Sequence, residues 1–358
     1  MSTEQSNETN EKQHFYGGSG HHIQGGFKAK FKKFMNKKDP KYLWYRAKWN
    51  WSPRTARFGL IPKFPTHVDI EPSDACNLRC VMCPQSFDRS GIQDGFITMD
   101  LFHKIVDECA KEGLYSMKLN WRGEPLIHPK FIEMVKYAKD KGIKELQTNS
   151  NGTLLNENKI RGLIEAGLDG IIFSMDGATK ETYEKIRVRA KYDILMKNIK
   201  DFVRIRNEMG KKKPFIRIQM VRMKDNVHEV DQFIKMWEGI VDHVATNDYS
   251  NRGEGEENDR SINYDQITLG RKTCPQPFQR LMVAWDGKVM MCCGDWFRKN
   301  VVGDVTKQTL KEIWNGAILS QLRELHKQNK LDVMPACRTC NLHEGYRYAK
   351  PSEVKATA

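Results

Sequence analysis

Between residues 67 and 246 the chain alternates short β-prone runs with amphipathic stretches, and few folds accept that rhythm. "HVDIE" (67–71), "SMKLNW" (116–121), "KELQTN" (144–149), "GIIFSMD" (170–176), "FIRIQMV" (215–221) and "VDHVAT" (241–246) read as strands. Helical spacing fills the intervals at 99–112, 129–141, 156–166, 193–209 and 227–238. In the first of these, Thr98 is placed to cap, and Leu101, Phe102, Ile105, Val106 and Cys109 share one face. Strand–helix alternation of this kind builds a parallel sheet or barrel of βα units. Six strands predict an open or partial barrel, and sites in such folds form beyond the C-terminal ends of the strands.

The loop that follows the first strand is "DACNLRCVMCP", residues 74 to 84, with Cys76, Cys80 and Cys83. The start of the chain is polar and has no apolar signal-like core, and no apolar run is long enough to cross a bilayer. A cytoplasmic location is therefore expected, where thiols stay reduced. Nine cysteines in such a chain point to metal or redox chemistry before disulfides. A structural zinc site wants four ligands, and this loop offers three. A redox pair of Cys80 and Cys83 leaves Cys76 without a role. Three thiolates on a 4Fe–4S cluster leave one iron open to a small molecule.

Charge divides the chain further. Residues 1–66 hold thirteen Lys or Arg against four acids, a large part of the total of +14. Within 27–51, Phe27, Phe31, Phe34, Leu43, Trp44, Tyr45, Trp49 and Trp51 interleave with lysines. Two readings stand beside each other: a segment packed on the domain edge, or a peripheral contact with an anionic membrane surface or a partner. Residues 67–250 form the expected core, 251–348 a glycine-rich polar linker with a small second domain, and 349–358 a tail. The second domain is expected to hold a hairpin, "LMVAWDGKVMMCC", turning at Asp286-Gly287, and helices near 309–315 and 318–327.

The three-cysteine loop after a first strand resembles that of the radical S-adenosylmethionine (SAM) enzymes, and later motifs follow in that family's order. "RGEP" (Arg122, Gly123, Glu124, Pro125) is similar to the element that holds the methionine amino group. "TNSNG" carries Asn149 and Asn151 where the family contacts ribose. "FSMDG" carries Ser174 and Asp176, and "YEKIR" carries Arg187 where relatives place a basic residue for the SAM carboxylate. Met82 stands where the family usually has an aromatic residue beside adenine. The resemblance implies a partial (β/α)6 TIM-like barrel with a 4Fe–4S cluster on Cys76, Cys80 and Cys83.

The tail is similar to the family's twitch domain, a short form of the SPASM domain. Cys274, Cys292, Cys337 and Cys340 have the spacing of its auxiliary 4Fe–4S ligands, and "DGKVMMCC", "VGDV" and "LKEIWN" are typical of it. The bland alternative is a zinc ribbon on a zinc-stabilised binding protein. Cys293, next to a ligand on a strand, is expected to point the other way. Cys109 is expected in the core.

The resemblance implies reductive cleavage of SAM to a 5′-deoxyadenosyl radical and hydrogen abstraction from a C–H. A small hydroxylated substrate is expected, such as a sugar, cyclitol or nucleotide-linked molecule. The auxiliary cluster then acts as electron acceptor, in a dehydrogenase-like oxidoreductase fed by a one-electron donor such as flavodoxin or ferredoxin. Epimerisation, with Cys293 as hydrogen donor, and peptide maturation are the alternatives. The net of +5 outside the leader favours an anionic substrate, with Arg122, Arg189, Arg217 and Arg222 as contacts.

Overall fold

The computed structural model describes residues 39–89, 91–250, 260, 266–271, 274–338, 340 and 344–348, with the backbone alone at 266–271 and 344–348. Phe27, Phe31, Phe34, most of the 251–265 linker and the 349–358 tail lie outside the described residues. Six parallel strands run in the order β1 (His67–Ile70), β3 (Ser116–Leu119), β4 (Glu145–Ser150), β5 (Gly170–Ser174), β7 (Phe215–Arg222) and β8 (His243–Asp248). They are the six read from the sequence, displaced by a residue or two at their ends. Helices α2 (Met99–Lys111), α3 (Phe131–Asp140), α4 (Glu157–Glu165), α6 (Tyr192–Glu208) and α7 (Val230–Trp237) connect them. A partial barrel is the result, as expected.

Each strand sorts its residues by alternation. Val68 and Ile70, Met117 and Leu119, Ile171 and Phe173, and Ile216, Ile218 and Met220 bury themselves in the core under the helices. Helix α2 meets them with Phe102, Ile105, Val106 and Cys109, and Thr98 caps it by accepting from the Leu101 amide at 3.2 Å. Their neighbours along the strands face the barrel interior, and most are polar: His67, Asp69, Lys118, Glu145, Gln147, Asn149, Arg217 and Gln219.

Several elements were not read from the sequence as such. Helix α5 (Lys180–Ile186) and the short strand β6 (Arg187–Val188) follow β5, and β6 pairs antiparallel with β2 (Arg79–Cys80) in the cysteine loop. Helix α1 (Pro40–Thr55) closes the end of the barrel where the strands begin. Asp39 caps it and Tyr42, Tyr45 and Trp49 face inward. Tyr45 stacks on Tyr115, Trp49 meets His67 edge-on, and Ser52 donates to the Phe278 carbonyl at 2.7 Å. Of the aromatic run, Leu43 and Trp44 remain exposed.

The C-terminal hairpin extends the barrel sheet. Strand β10 (Arg280–Val283) lies parallel to β1, with Arg280 opposite His67 and Val283 opposite Ile70. Strands β11 (Lys288–Met290) and β12 (Val301–Asp304) continue antiparallel, and Gly287 takes a positive φ of 86° at the turn. Helices α8 (Leu310–Asn315) and α9 (Ala317–Lys327) lie where the sequence places them. Glu108 of α2 accepts from the Leu310 and Lys311 amides, and Trp314 donates to the Pro62 carbonyl. One apolar core runs through both parts. A 3-10 turn at 276–278 precedes β10, and β9 (Gln266–Arg271) pairs with β13 (Glu344–Tyr348).

Glu145 shows what the polar interior costs. Burial, then Asp169, push its carboxyl up to about 7, against the pull of Lys213 and the Gln147 amide. The unfolded carboxyl titrates near 4.5. The folded chain therefore holds this proton more tightly, and Glu145 erodes stability as pH rises from about 4.5 through about 7. Glu145→Gln should lose less stability than the wild type over that window, with an advantage that grows to at most about 3 kcal/mol at pH above about 8. Denaturant unfolding at several pH values checks this, and parallel pH profiles for the two proteins would contradict it.

Candidate functional site

The site gathers at the C-terminal ends of the strands, where the chain ties four loops together. Glu71, fully buried after β1, accepts from Arg122 Nε and the second guanidinium nitrogen at 2.9 and 3.0 Å. Its carboxylate also accepts from the Arg122 and Trp285 amides. Gly123 follows, so close to the cysteine loop that an added Cβ would lie 2.3 Å from the Ser73 carbonyl oxygen and 2.5 Å from that of Ala75. The Glu124 amide donates to the Ala75 carbonyl at 2.8 Å. Only glycine permits this approach, and it sets Glu124 against the three cysteines.

Glu124 is buried, and its carboxylate accepts from Ser150 Oγ at 2.8 Å and from the Asn151 and Leu126 amides at 2.7 and 3.1 Å. Burial raises its carboxyl and these bonds pull it back. Asn151 donates to Asn77 Oδ1 and accepts from Thr153, while Asn77 donates to Thr153. The "TNSNG" loop is thereby latched onto the cysteine loop. Asn149 lies one step back on β4, and its Oδ1 is buried with no hydrogen-bond partner among the described residues. Ser174 ends β5, half-buried, beside Gln219 of β7.

The cysteine loop is held from within by Arg79, which donates to the Cys76 and Leu78 carbonyls. Gln85 and Ser86 fasten its far side to the carbonyls of Asp74, Arg122 and Cys80. Cys80 and Cys83 lie within electrostatic reach of Cys76, whose thiol burial pushes up to about 12. Thiolates in such a place need a cationic partner, and iron is one. Arg187 is drawn in by β6: its Nε donates to Asp176 at 2.7 Å and another guanidinium nitrogen lies 3.7 Å from Cys80 Sγ. Asp176 also accepts from the Val221 amide. Met82 packs beside Ile186, Met223 and Tyr249.

The structure thus brings Cys76, Cys80, Cys83, Glu124, Asn149, Asn151, Ser174, Asp176 and Arg187 to one mouth. Arg122 is there as well, but Glu71 occupies its guanidinium. Arg222 likewise pairs with Asp248.

The second set of thiols lies lower in the same barrel. Cys292 follows β11 and is within electrostatic reach of Cys293, Cys274, Cys340 and Cys337. Burial pushes Cys292 well above its usual range and Cys274 up to about 12. Cys292 joins the main core that includes Cys337. Cys293 packs with Trp121, Met282, Ala284 and Met290, and its carbonyl accepts from Trp121 Nε1 at 2.9 Å. The neighbouring thiols therefore meet different surroundings, although both lie past the end of β11 and not, as expected, on a strand. Cys109 is buried in the core, as expected.

Lys118 and Arg280 are site residues that sequence reasoning passed over. Lys118 on β3 and Arg280 on β10 lie within reach of Asp69 and of Cys293. The signal was present: the strands alternate apolar residues with charged ones, and the apolar set belongs under the helices. Among the described residues no three Cys, His, Asp or Glu side chains converge closely enough to hold a single metal ion. A lone zinc needs its thiolates all within about 2.3 Å of one point.

Residues 70–235 match the radical SAM superfamily, and residues 274–341 match SPASM, an iron–sulfur cluster-binding domain. The chain is 25% identical over 330 residues to the tungsten-containing aldehyde ferredoxin oxidoreductase cofactor-modifying protein of Pyrococcus furiosus, covering 80% of this chain and 90% of that one. An AdoMet-dependent heme synthase of Methanosarcina barkeri is 33% identical over 123 residues, 34% of each chain. The fold is similar to that of BtrN in complex with AdoMet and 2-DOIA, with TM-score 0.55 and 18% identity over 77% of this chain and 92% of that one. It is also similar to Streptococcus suis SuiB bound to precursor peptide SuiA, with TM-score 0.62 and 14% identity over 81% and 72%. Such enzymes work with SAM, a 4Fe–4S cluster and auxiliary iron–sulfur clusters. With three thiols at the barrel mouth and a second set in a matching iron–sulfur domain, the chain is a radical SAM enzyme with a C-terminal SPASM domain.

Proposed function

We propose that this enzyme removes two hydrogens from a small hydroxylated molecule, such as a sugar, a cyclitol or a nucleotide-linked compound. The reading rests on one observation: proposed ligands of both sets come within reach of cations of one barrel, Cys80 beside Arg187 at the mouth and Cys292 near Arg280 at the other end. When bound, SAM and its cluster supply a hydrogen-abstracting radical, and the auxiliary cluster supplies an acceptor for the second electron.

The chain's own residues then have distinct tasks. Cys76, Cys80 and Cys83 would hold the first cluster and Cys274, Cys292, Cys337 and Cys340 the auxiliary one. Glu124, oriented by its three hydrogen bonds, would receive the SAM amino group. Arg187 offers positive charge at the rim, for the SAM carboxylate and for the Cys80 thiolate. Asn149 offers a buried acceptor for a ribose hydroxyl, and Asn151 holds the loop that presents it. Ser174 and Met82 line the same mouth. The loops latched by Asn77 and Glu71 exclude water and hold the C–H near the reacting carbon.

Names of relatives support a small substrate. The Pyrococcus protein is named for modifying a cofactor, the Methanosarcina one for heme, and a Chlorobaculum tepidum relative, 32% identical over 144 residues, is a GTP 3',8-cyclase. A flavodoxin or ferredoxin would deliver the electron. Epimerisation is the second reading, because Cys293 turns toward the interior beside Trp121. An epimerase needs a hydrogen donor there, and a dehydrogenase does not.

Cys76→Ala, Cys80→Ala and Cys83→Ala should each abolish 5′-deoxyadenosine release from SAM under reducing conditions. Any of them cleaving SAM at the wild-type rate would remove that residue from the site. Glu124→Ala should raise the SAM dissociation constant at least tenfold while keeping iron. Unchanged affinity would exclude Glu124.

Cys292→Ala and Cys337→Ala should still cleave SAM yet form no product, whereas Cys293→Ala should retain turnover. Incubation with sugars, nucleotide sugars and peptides, scored by mass, should give a product two hydrogens lighter with no solvent deuterium at carbon. A product of unchanged mass that gains deuterium in heavy water, and is lost in Cys293→Ala, would establish epimerisation instead.

A further inference from the structure

Arg217 is a buried cation that nothing described in the chain neutralises. It sits on β7 and is 7% exposed. Among the described residues its guanidinium makes no hydrogen bond or ion pair, and its Nε is buried without a partner. Desolvation alone lowers it, to about 10, so no carboxylate or thiolate is close enough to offset the burial. Arg206 is also 7% exposed, but it has Asp242, and Arg280 has Asp69 at 3.2 Å.

Strand register places Arg217 inside the catalytic chamber. It lies opposite Ile172 of β5 and His243 of β8, and Ile172 lies opposite Asn149 of β4. Asn149 and Arg217 are thus two strand spacings apart, roughly 10 Å. Lys118 lies on the same side of the sheet, and Arg217 is among the charges that disfavour its protonated form. Lys118 and Arg280 share the Asp69 carboxylate, and Arg217 stands outside that group. Glu71 in the same interior belongs to Arg122.

The auxiliary cluster accounts for part of this excess and leaves Arg217 over. Cys292 of that set bears on Arg280, and its neighbour Cys293 bears on Lys118 and Arg280. None bears on Arg217. For the SAM carboxylate the proposed cation is Arg187 at the rim, which also pairs with Asp176 and lies beside Cys80. An unpaired guanidinium in a dry interior is costly unless a ligand brings the opposite charge. Its planar donors suit a carboxylate or phosphate.

We propose that Arg217, assisted by Lys118, is an oxyanion-binding subsite, and that the substrate carries a carboxylate or phosphate which docks there. This rests on the barrel interior being the substrate chamber. The charged group then anchors the substrate in register with Asn149, two strands away. Arg217 is a specificity residue in this arrangement, remote from the hydrogen transfer itself.

The test uses the full chain with both clusters reconstituted under anaerobic conditions, and inorganic phosphate and acetate as probes. Equilibrium dialysis with radiolabelled phosphate or acetate should show saturable binding of about one per chain by the wild type. Arg217→Met should weaken it at least tenfold, and Arg217→Lys should retain most of it. Phosphate preference assigns a phosphorylated substrate, and acetate preference a carboxylate. Failure of both probes to bind, or equal binding by Arg217→Met, overturns the proposal.

Stability provides a second readout. Without anion, Arg217→Met should melt higher than the wild type, because it removes a buried unpaired charge, and phosphate should raise the midpoint of the wild type alone. A lower midpoint for Arg217→Met would reveal a structural role and overturn the subsite. If that variant does not fold, Lys118→Met takes its place, and undiminished phosphate binding by it counts against the proposal. Competition by SAM for the phosphate site would assign Arg217 to the cofactor and equally overturn it. SAM cleavage by the wild type, measured in parallel, reports separately on the radical chemistry.

Discussion

A single buried carboxylate, Glu71, organises the mouth of this barrel. It is inaccessible to solvent, takes the Arg122 guanidinium through two oxygens, and accepts the Trp285 amide from the C-terminal hairpin. Arg298 stands 3.7 Å away. One side chain thus joins the loop after β1, the loop after β3 and the turn between β10 and β11. Gly95, on the exit of the cysteine loop, has the Trp285 ring where a Cβ would be, within 2.3 Å. Removing one partner of such a pair leaves an uncompensated charge, a loss on the order of 3–5 kcal/mol. The positions of Gly123, Glu124 and the cysteine loop all depend on it.

That clamp explains why "RGEP" is a compound signal. Arginine serves the carboxylate of the preceding strand. Glycine allows the loop to lie on the Ser73 and Ala75 carbonyls. Glutamate enters the site, already held by Ser150 and the Asn151 amide. Treating Arg122 as a contact for an anionic substrate overlooked the acid three residues before Asp74. The "HVDIE" strand contains that acid, and its alternation of His67, Asp69 and Glu71 marks the interior face.

Much of the architecture was legible because two periods do not overlap. Strands of four to eight residues and helices of eight to seventeen lie where a period of 2 or 3.6 places them. Helix α5 escaped because seven residues give too short a window, and β6 because two residues give none. Helix α1 was harder. Its buried set, Tyr42, Tyr45, Trp49 and Ser52, is spaced three or four apart, but lysines and an internal Pro53 mask the pattern. Its purpose as the floor of the barrel is tertiary and depends on Tyr115, His67 and Arg280. The pairing of β10 with β1 was equally hidden, since more than two hundred residues separate partners such as His67 and Arg280.

That long-range pairing matters for the chemistry. Because β10 is parallel to β1, its far end carries Trp285 to the mouth, while β11 returns the chain and delivers Cys292 and Cys293 toward the lower interior. The strand that leads into the first thiol loop and the strand that leads to Cys292 therefore belong to one continuous sheet, and a hydrogen-bonded sheet holds two loops at a more fixed separation than a linker does. The interior carries charged and amide side chains, among them Asp69, Lys118, Gln147, Asn149 and Arg217, beside an apolar patch of Trp121, Met282, Ala284 and Met290. A dry hydrocarbon chamber would protect a radical equally well, but it would neither orient a polar substrate nor balance the negative charge of two thiolate-ligated clusters. The cost is visible in Lys118, Arg217 and Glu145, each pushed by burial toward its neutral form. Stability is given up where the chain must bind charge, and the apolar faces of the same strands supply the core that sustains it.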